Sequence, residues 1–220
     1  MKWVRLLVVV LGMSPAAAAA AAVYDAGFVA GYNFSTLRIE GRSSIEGRSS
    51  LAAGAVVDFW INDTFGIRVE PTWLSKGAKA TQHNAYWGTI DGVVFNLDYI
   101  DVPVLARLDL SKSDTHPYVL GGLGVSFATK QEAELTKAGY KQTIDFGGVL
   151  SPTDLSVDLG TGVSVPVGRN RMTFDVRGAY GLLNINKGGS VTFAGSPLPV
   201  PSTATHTLDF RAFASYLFSL

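Results

Sequence analysis

The 220-residue chain has no cysteine. That excludes a disulfide framework, a thiolate metal site and a cysteine nucleophile. Charge is scarce: 16% of residues are Asp, Glu, Lys or Arg, and 18 basic side chains balance 18 acidic ones. No basic surface therefore directs the chain to nucleic acid. No segment after Ala22 is apolar over the roughly 20 residues a spanning helix needs. A glycine-rich phosphate loop, an HExxH motif and an acidic calcium loop are also missing, so no cofactor and no metal is expected. What is abundant is apolar surface, at 47% of residues, and glycine, at 24 residues without a collagen period. Such a chain is too apolar for disorder, and its length allows one domain or at most two small ones.

Residues 1–22 read as an export signal, leaving 23–220 as a single domain. Lys2 and Arg5 make a positive start, Leu6 to Met13 a short apolar core, and Ala16 to Ala22 offer small-residue cleavage sites. The core is too short for a membrane anchor. A mature chain of this kind is secreted, periplasmic or built into an outer membrane.

The remainder alternates with period two. Leu155, Val157, Leu159, Thr161, Val163 and Val165 interleave with Ser156, Asp158, Gly160, Gly162 and Ser164. Met172 to Leu182, Ile100 to Leu108 and Leu208 to Leu220 repeat the pattern, and Gly27 to Ser35, Leu51 to Ile61, Phe65 to Leu74 and Tyr118 to Phe127 follow it more weakly. Side chains alternate across a strand, so each stretch predicts a strand with two unlike faces. Eight strands of about 10 residues result, the length that crosses a bilayer when tilted.

The connections alternate too. Asn62 to Thr64, Ser111 to His116 and Gly168 to Arg171 are short; Thr36 to Ser50, Ser75 to Gly92, Ala128 to Thr153 and Asn186 to Thr203 are long. Short periplasmic turns and long outer loops characterise outer-membrane barrels. Aromatics of the apolar phase sort to the strand ends: Phe59, Phe65, Tyr118, Phe174, Tyr216 and Phe218 at the short turns, and Tyr32, Phe34, Trp73, Tyr180 and Phe210 at the long loops. Two aromatic bands mark two membrane interfaces. The expected fold is all-β: an eight-stranded antiparallel up-and-down transmembrane β-barrel, closed because every backbone group in lipid must pair. Both termini are expected in the periplasm.

Several of these segments resemble the small bacterial outer-membrane β-barrel domain, or "porin family". They are Gly27-Phe28-Val29-Ala30-Gly31-Tyr32-Asn33-Phe34-Ser35, Val69-Glu70-Pro71-Thr72-Trp73-Leu74-Ser75-Lys76-Gly77, Leu97-Asp98-Tyr99-Ile100-Asp101-Val102-Pro103-Val104-Leu105 and Pro117-Tyr118-Val119-Leu120-Gly121-Gly122. The resemblance implies that the last strand, through Tyr216, Phe218 and Leu220, is read by the outer-membrane assembly machinery. It departs by ending in Leu220 where phenylalanine is usual. The family name does not by itself imply conduction.

In the opposite phase stand Arg68, Glu70, Asp101, Arg107, Asp158, Asp175, Arg177, Asp209 and Arg211, with Tyr99 and Phe213. An arginine facing lipid at midplane costs about 2–4 kcal/mol, so these groups are assigned to the lumen as a structural, mutually paired set. Glu70 and Arg107, on neighbouring strands, are expected to meet. Gly160, Gly162 and Gly181 are expected to leave gaps, and Gly121-Gly122 to mark a strand bend or room for lumen side chains.

His83, His116 and His206 have no serine and acid at strand spacing, and read as solvated loop histidines rather than catalytic groups. The duplicated Ile39-Glu40-Gly41-Arg42-Ser43-Ser44 and Ile45-Glu46-Gly47-Arg48-Ser49-Ser50 read as a tolerant surface loop. The expectation is a non-enzymatic outer-membrane protein of envelope structure or surface interaction. It would work through four long extracellular loops, amid outer-membrane lipid and lipopolysaccharide, with no nucleic-acid partner. Passage of small solutes, a lipid A-modifying enzyme and a soluble lipocalin-like binder are the alternatives. Since eight strands leave an interior just wide enough for side chains, the barrel is expected to be closed to ions.

Overall fold

The computed structural model describes residues 24–40, 46–80 and 91–220. The export signal, His83 and Arg42 lie outside the described residues. Thirteen strands follow in order: β1 (Tyr24–Ile39), β2 (Glu46–Trp60), β3 (Phe65–Val69), β4 (Thr72–Lys76), β5 (Ala78–Ala80), β6 (Gly92–Asp109), β7 (His116–Lys137), β8 (Tyr140–Asp145), β9 (Thr153–Val167), β10 (Asn170–Gly181), β11 (Gly189–Phe193), β12 (Ser196–Val200) and β13 (Thr205–Ser219).

Eight staves form a ring, the third made of β3, β4 and β5 in line. All pairings are antiparallel, and β1 closes on β13 from Asp25↔Ser219 to Ile39↔Thr205. The third stave is interrupted at Pro71, which has no amide hydrogen to give. The ladder survives there because the Ala55 amide donates to the Pro71 carbonyl (3.0 Å) and the Glu70 amide to that of Pro103 (3.2 Å).

The apolar phase faces outward: Phe28 is 69% exposed, Tyr32 65% and Leu159 65%. An aqueous barrel would bury that face, so the soluble lipocalin-like arrangement does not describe this wall. Strand β7 has the phase opposite to that expected for its aromatic. Tyr118 points inward and is fully buried, while Val119, Leu123, Val125 and Phe127 face out. The reason is that both faces of β7 are apolar at this point, Leu120 being buried as well.

The short connections are residues 61–64, 110–115 and 168–169. In the first, Asn62 Oδ1 accepts from the Thr64 and Phe65 amides at 3.0 and 2.9 Å, closing the turn through a side chain. The long connections are less loop-like than expected. Strands β1 and β2 continue to Ile39 and from Glu46, so most of the Thr36 to Ser50 segment is wall. Strand β7 runs on to Lys137 and turns into β8 through Ala138 and Gly139, whose φ angles are 49° and 79°. Ala194 and Gly195 repeat those angles between β11 and β12. Two consecutive positive φ values make the tight hairpin turn whose twist suits paired strands.

A register shift at Asp98/Tyr99, opposite Thr129, changes which residues of β7 point inward. Below it Gly124 and Ser126 are buried; above it Gln131, Ala133 and Leu135 are. Above this bulge an apolar core fills the long-loop end: Leu97, Leu135, Ile144, Phe146, Val149, Ile185 and Val191 pack together. Phe95 and Phe146 meet edge to face at 5.7 Å. Backbone bonds from Ser151 to Ile185 (2.6 Å) and Lys187 to Val149 (2.8 Å) tie the connection after β8 to the one after β10.

Candidate functional site

Among the described residues, buried charge converges in the barrel interior, where it falls into two tiers. Arg68, Glu70, Asp101, Arg107, Asp158, Asp175, Arg177, Asp209 and Arg211 are all buried inside the ring. Asp58, Lys76, Asp109 and Asp154 join them.

In the tier nearer the short turns, Arg68 forks onto Asp58, Nε to Oδ1 at 2.7 Å and Nη2 to Oδ2 at 2.8 Å. Arg107 gives Nη1 to the same Asp58 at 2.7 Å and Nε to Asp109 at 2.8 Å. Arg177 reaches across the lumen to hold Glu70 with Nη1 and Nη2 at 2.9 and 2.7 Å. Planar guanidinium forks match carboxylates bidentately, which fixes geometry as well as charge. Glu70 and Arg107 therefore do not meet, contrary to the expectation from neighbouring strands. Gly66, not Glu70, stands opposite Arg107, while Glu70 is level with Pro103, two inward positions further along β6. In a narrow barrel the partner across the lumen is nearer than one so displaced along the wall.

Aromatic rings separate the charges. Tyr118 donates to Asp175 Oδ2 at 2.9 Å, and Arg107 lies 4.2 Å over its ring. Trp60 donates to Asp25 at 2.9 Å beneath Arg107, 4.9 Å from its ring. Phe213 lies under Arg177 at 5.0 Å. His116, expected in solvent, is buried at the mouth with Nε2 2.8 Å from Asp109 and Nδ1 2.7 Å from the Ser113 carbonyl.

In the tier nearer the long loops, Arg211 contacts Asp101 at 2.7 Å, Asp209 at 3.3 Å and Asp158 at 3.4 Å. Lys76 lies 3.2 Å from Asp209 and 3.9 Å from Asp154, over the Tyr99 ring at 5.2 Å. Hydroxyls complete the acids: Ser156 donates to Asp158 at 2.6 Å and Thr207 to Asp154 at 2.7 Å. Among the described residues the cations facing Asp101, Asp154, Asp158 and Asp209 are Lys76 and Arg211 alone, and Asp209 Oδ1 has no hydrogen-bond partner.

The glycines expected to leave gaps are instead occupied from opposite. A Cβ at Gly160 would come 2.6 Å from Arg177 Cγ, and one at Gly162 would come 2.5 Å from the Tyr118 ring. At Gly181 it would strike Thr207 and Asp154. Gly124 likewise admits Ser156 and Asp158. These positions are small because large lumen side chains cross them.

Asp58, Lys76, Asp109 and Asp154 are the buried charges absent from the set assigned to the lumen by alternation, and the first two are the more instructive. Asp58 is a lone charge among Ala52, Gly54 and Val56 on the inward face of β2, and Lys76 sits past the interruption at Pro71. A single ionisable residue inside an otherwise apolar strand phase was the available signal.

His206 stacks on Tyr180 at 5.8 Å and places Nδ1 3.0 Å from the Gly181 carbonyl. Neither it nor His116 has a side-chain hydroxyl in hydrogen-bond reach among the described residues. Tyr216 is half-buried on the outer wall against Phe218 at 5.1 Å, and Leu220 is exposed.

A family profile described as outer membrane protein beta-barrel domain matches residues 24–187. No curated protein matches the sequence. Similar solved structures include the outer membrane protein OprG from Pseudomonas aeruginosa, at 12% identity over 90% of this chain and 95% of that one, with a TM-score of 0.48. Ail, the attachment invasion locus protein of Yersinia pestis, matches at 12% identity over 89% of this chain and 99% of its own, with a TM-score of 0.46. Neisserial surface protein A matches at 12% identity over 86% and 95%, with a TM-score of 0.45.

Proposed function

The chain belongs to the outer membrane protein beta-barrel domain family, and from that premise we propose that it is a non-enzymatic outer-membrane barrel that works through the surface of its long-loop end. The supporting observation is the interior: the charged tiers and the apolar core above them leave side chains, not a wide aqueous path, along the axis. Among the described residues, the rim of β7–β8 and β11–β12 is available for contact. In this reading the long-loop end faces outward and both ends of the barrel chain face the periplasm, in an environment of outer-membrane lipid and lipopolysaccharide. The placed histidines, held by carbonyls, a carboxylate and a ring, support a role without catalysis.

Single-channel recording on folded protein in a planar bilayer tests the reading. No stable conductance steps are expected. A second reading, passage of small solutes, is favoured by the acid surplus around Asp209, which would select cations. Stable cation-selective steps would replace the first reading with the second. Orientation is tested separately: protease added to intact cells should cut at Lys137 or Lys141, and cleavage only after permeabilisation would reverse it.

The last strand, with Tyr216, Phe218 and Leu220 on the membrane face, is proposed as the assembly signal. Aspartate at both 218 and 220 costs only about 0–1 kcal/mol per site near an interface. Recognition therefore predicts periplasmic accumulation beyond that cost, and normal outer-membrane levels of the double variant would refute it.

A further inference from the structure

We propose that the membrane-facing wall at the long-loop end holds one acylated, phosphorylated lipid, with a chain in the notch at Gly178 and its phosphate on the Arg38–His206 pair. This rests on the outer-membrane reading above. A cavity of about 500 Å³ opens on the outside of β1, β10 and β13, lined by Tyr32, Phe34, Val176, Gly178 and Phe210 among others. It exists because Gly178 carries no side chain between Val176 and Tyr180. A Cβ built there would have only the Phe210 ring near it, at 4.0 Å. Ala212, paired with both Tyr32 and Val176, keeps the floor low. The result is an apolar depression with aromatic sides. Left empty it forfeits dispersion contacts, and a hydrocarbon chain is the group of the right shape to fill it.

The second observation is charge at the correct height. Arg38 and His206 stand directly opposite each other across β1 and β13, in the same outward phase as Phe34 and Phe210. Four residues separate the two pairs, about 13 Å at the usual strand rise. Arg38 is exposed and has no carboxylate at ion-pair distance among the described residues. The His206 ring is fixed by its stack on Tyr180, and its Nδ1 donates to the Gly181 carbonyl, so Nε2 is left to face a ligand. In the imidazolium form Nε2 is a donor, and that is the form able to hydrogen-bond a phosphate oxygen. An unpaired guanidinium at the interface matches a phosphate by charge and by fork geometry. In the leaflet facing outward, the lipid with both features is a diphosphorylated, multiply acylated glucosamine disaccharide.

Native mass spectrometry of the folded barrel in detergent tests this, titrating the phosphorylated glucosamine lipid and its dephosphorylated form. The wild type should retain one phosphorylated lipid. Gly178→Leu fills the notch and Arg38→Gln removes the cation, and each should weaken retention about tenfold. Removing the phosphates should weaken wild type but leave Arg38→Gln unchanged. Ala212→Leu serves as a second notch variant, and the mobility of unheated samples in gels reports folding. Wild-type retention by folded Gly178→Leu or Ala212→Leu would overturn the notch, and equal binding of the dephosphorylated lipid would overturn the phosphate contact. Binding is read in detergent, so its failure is distinct from failure of the protein to fractionate with the outer membrane.

Discussion

The two ends of the interior are built on opposite principles. Toward the short turns, the lumen is held by named pairs, Arg177 on Glu70 and Arg68 on Asp58, each spanning different strands. Beyond the second charged tier, at the long-loop end, an apolar tier of Leu97, Leu135, Ile144 and Phe146 packs without directional bonds. Burying ions is costly, and a buried ion pair is weak evidence of net stability. Its geometry, though, admits few registers: sliding one stave moves a carboxylate away from its fork. Apolar packing tolerates rearrangement and derives its free energy from burial. The charged tier thus specifies how the staves align, and the apolar tier stabilises the hairpins set on top of them.

The largest effect expected follows from breaking a fork. Arg177→Ala leaves Glu70 and Asp175 buried with Arg68, 3.9 and 3.4 Å away, as their remaining cation, and should cost about 3–5 kcal/mol in equilibrium unfolding by urea in micelles. Pairing it with Glu70→Leu should recover much of that loss. If the single variant unfolds with the wild-type midpoint, the charged tier does not constrain the wall. Next comes Leu135→Ala, which removes a fully buried side chain from the apolar tier and should cost about 2–3 kcal/mol there. That loss should appear as faster proteolysis of the β7–β8 hairpin, while the wall keeps its urea midpoint; a shift of the wall would show the two tiers to be one cooperative unit. Smallest is an exposed ion pair outside both. Lys112 lies 2.9 Å from Asp63 across two short turns, and its hydrogen bond and charge hold the Asp63 carboxyl below its usual range. Lys112→Ala should return Asp63 to an ordinary carboxylate titration by NMR with no detectable change in unfolding, since solvent screens such pairs. A measurable loss would place the turns within the constraint now ascribed to the lumen.

Alternation exposed most of the wall because lipid and lumen impose opposite polarity on every second residue. It failed where both faces are apolar, as at Tyr118, whose hydroxyl is the only sign that it belongs inside with Asp175. Which charges share a tier was not legible, because partners depend on stagger around the ring: Glu70 finds Arg177 on β10, far along the chain, and not Arg107. The hairpins β7–β8 and β11–β12 look like loops in the sequence for a local reason. Their turns are Ala138-Gly139 and Ala194-Gly195, and alanine is not a residue that signals two successive positive φ values. The bulge at Asp98/Tyr99 hid the apolar tier by switching the inward phase of β7 above Phe127.

The seam between β1 and β13 has a consequence for the route of folding. These strands are the first and last of the described chain, yet they pair along nearly their whole length, from Asp25↔Ser219 to Ile39↔Thr205. The contact closing the ring is thus among the most distant in sequence that this chain can make, and loop-closure entropy slows such contacts. Until it forms, two long strand edges lie open with unpaired amides and carbonyls, ready to pair with another chain. Speed of closure at this one seam, more than the strength of any interior contact, then decides how long a newly made molecule remains exposed to aggregation.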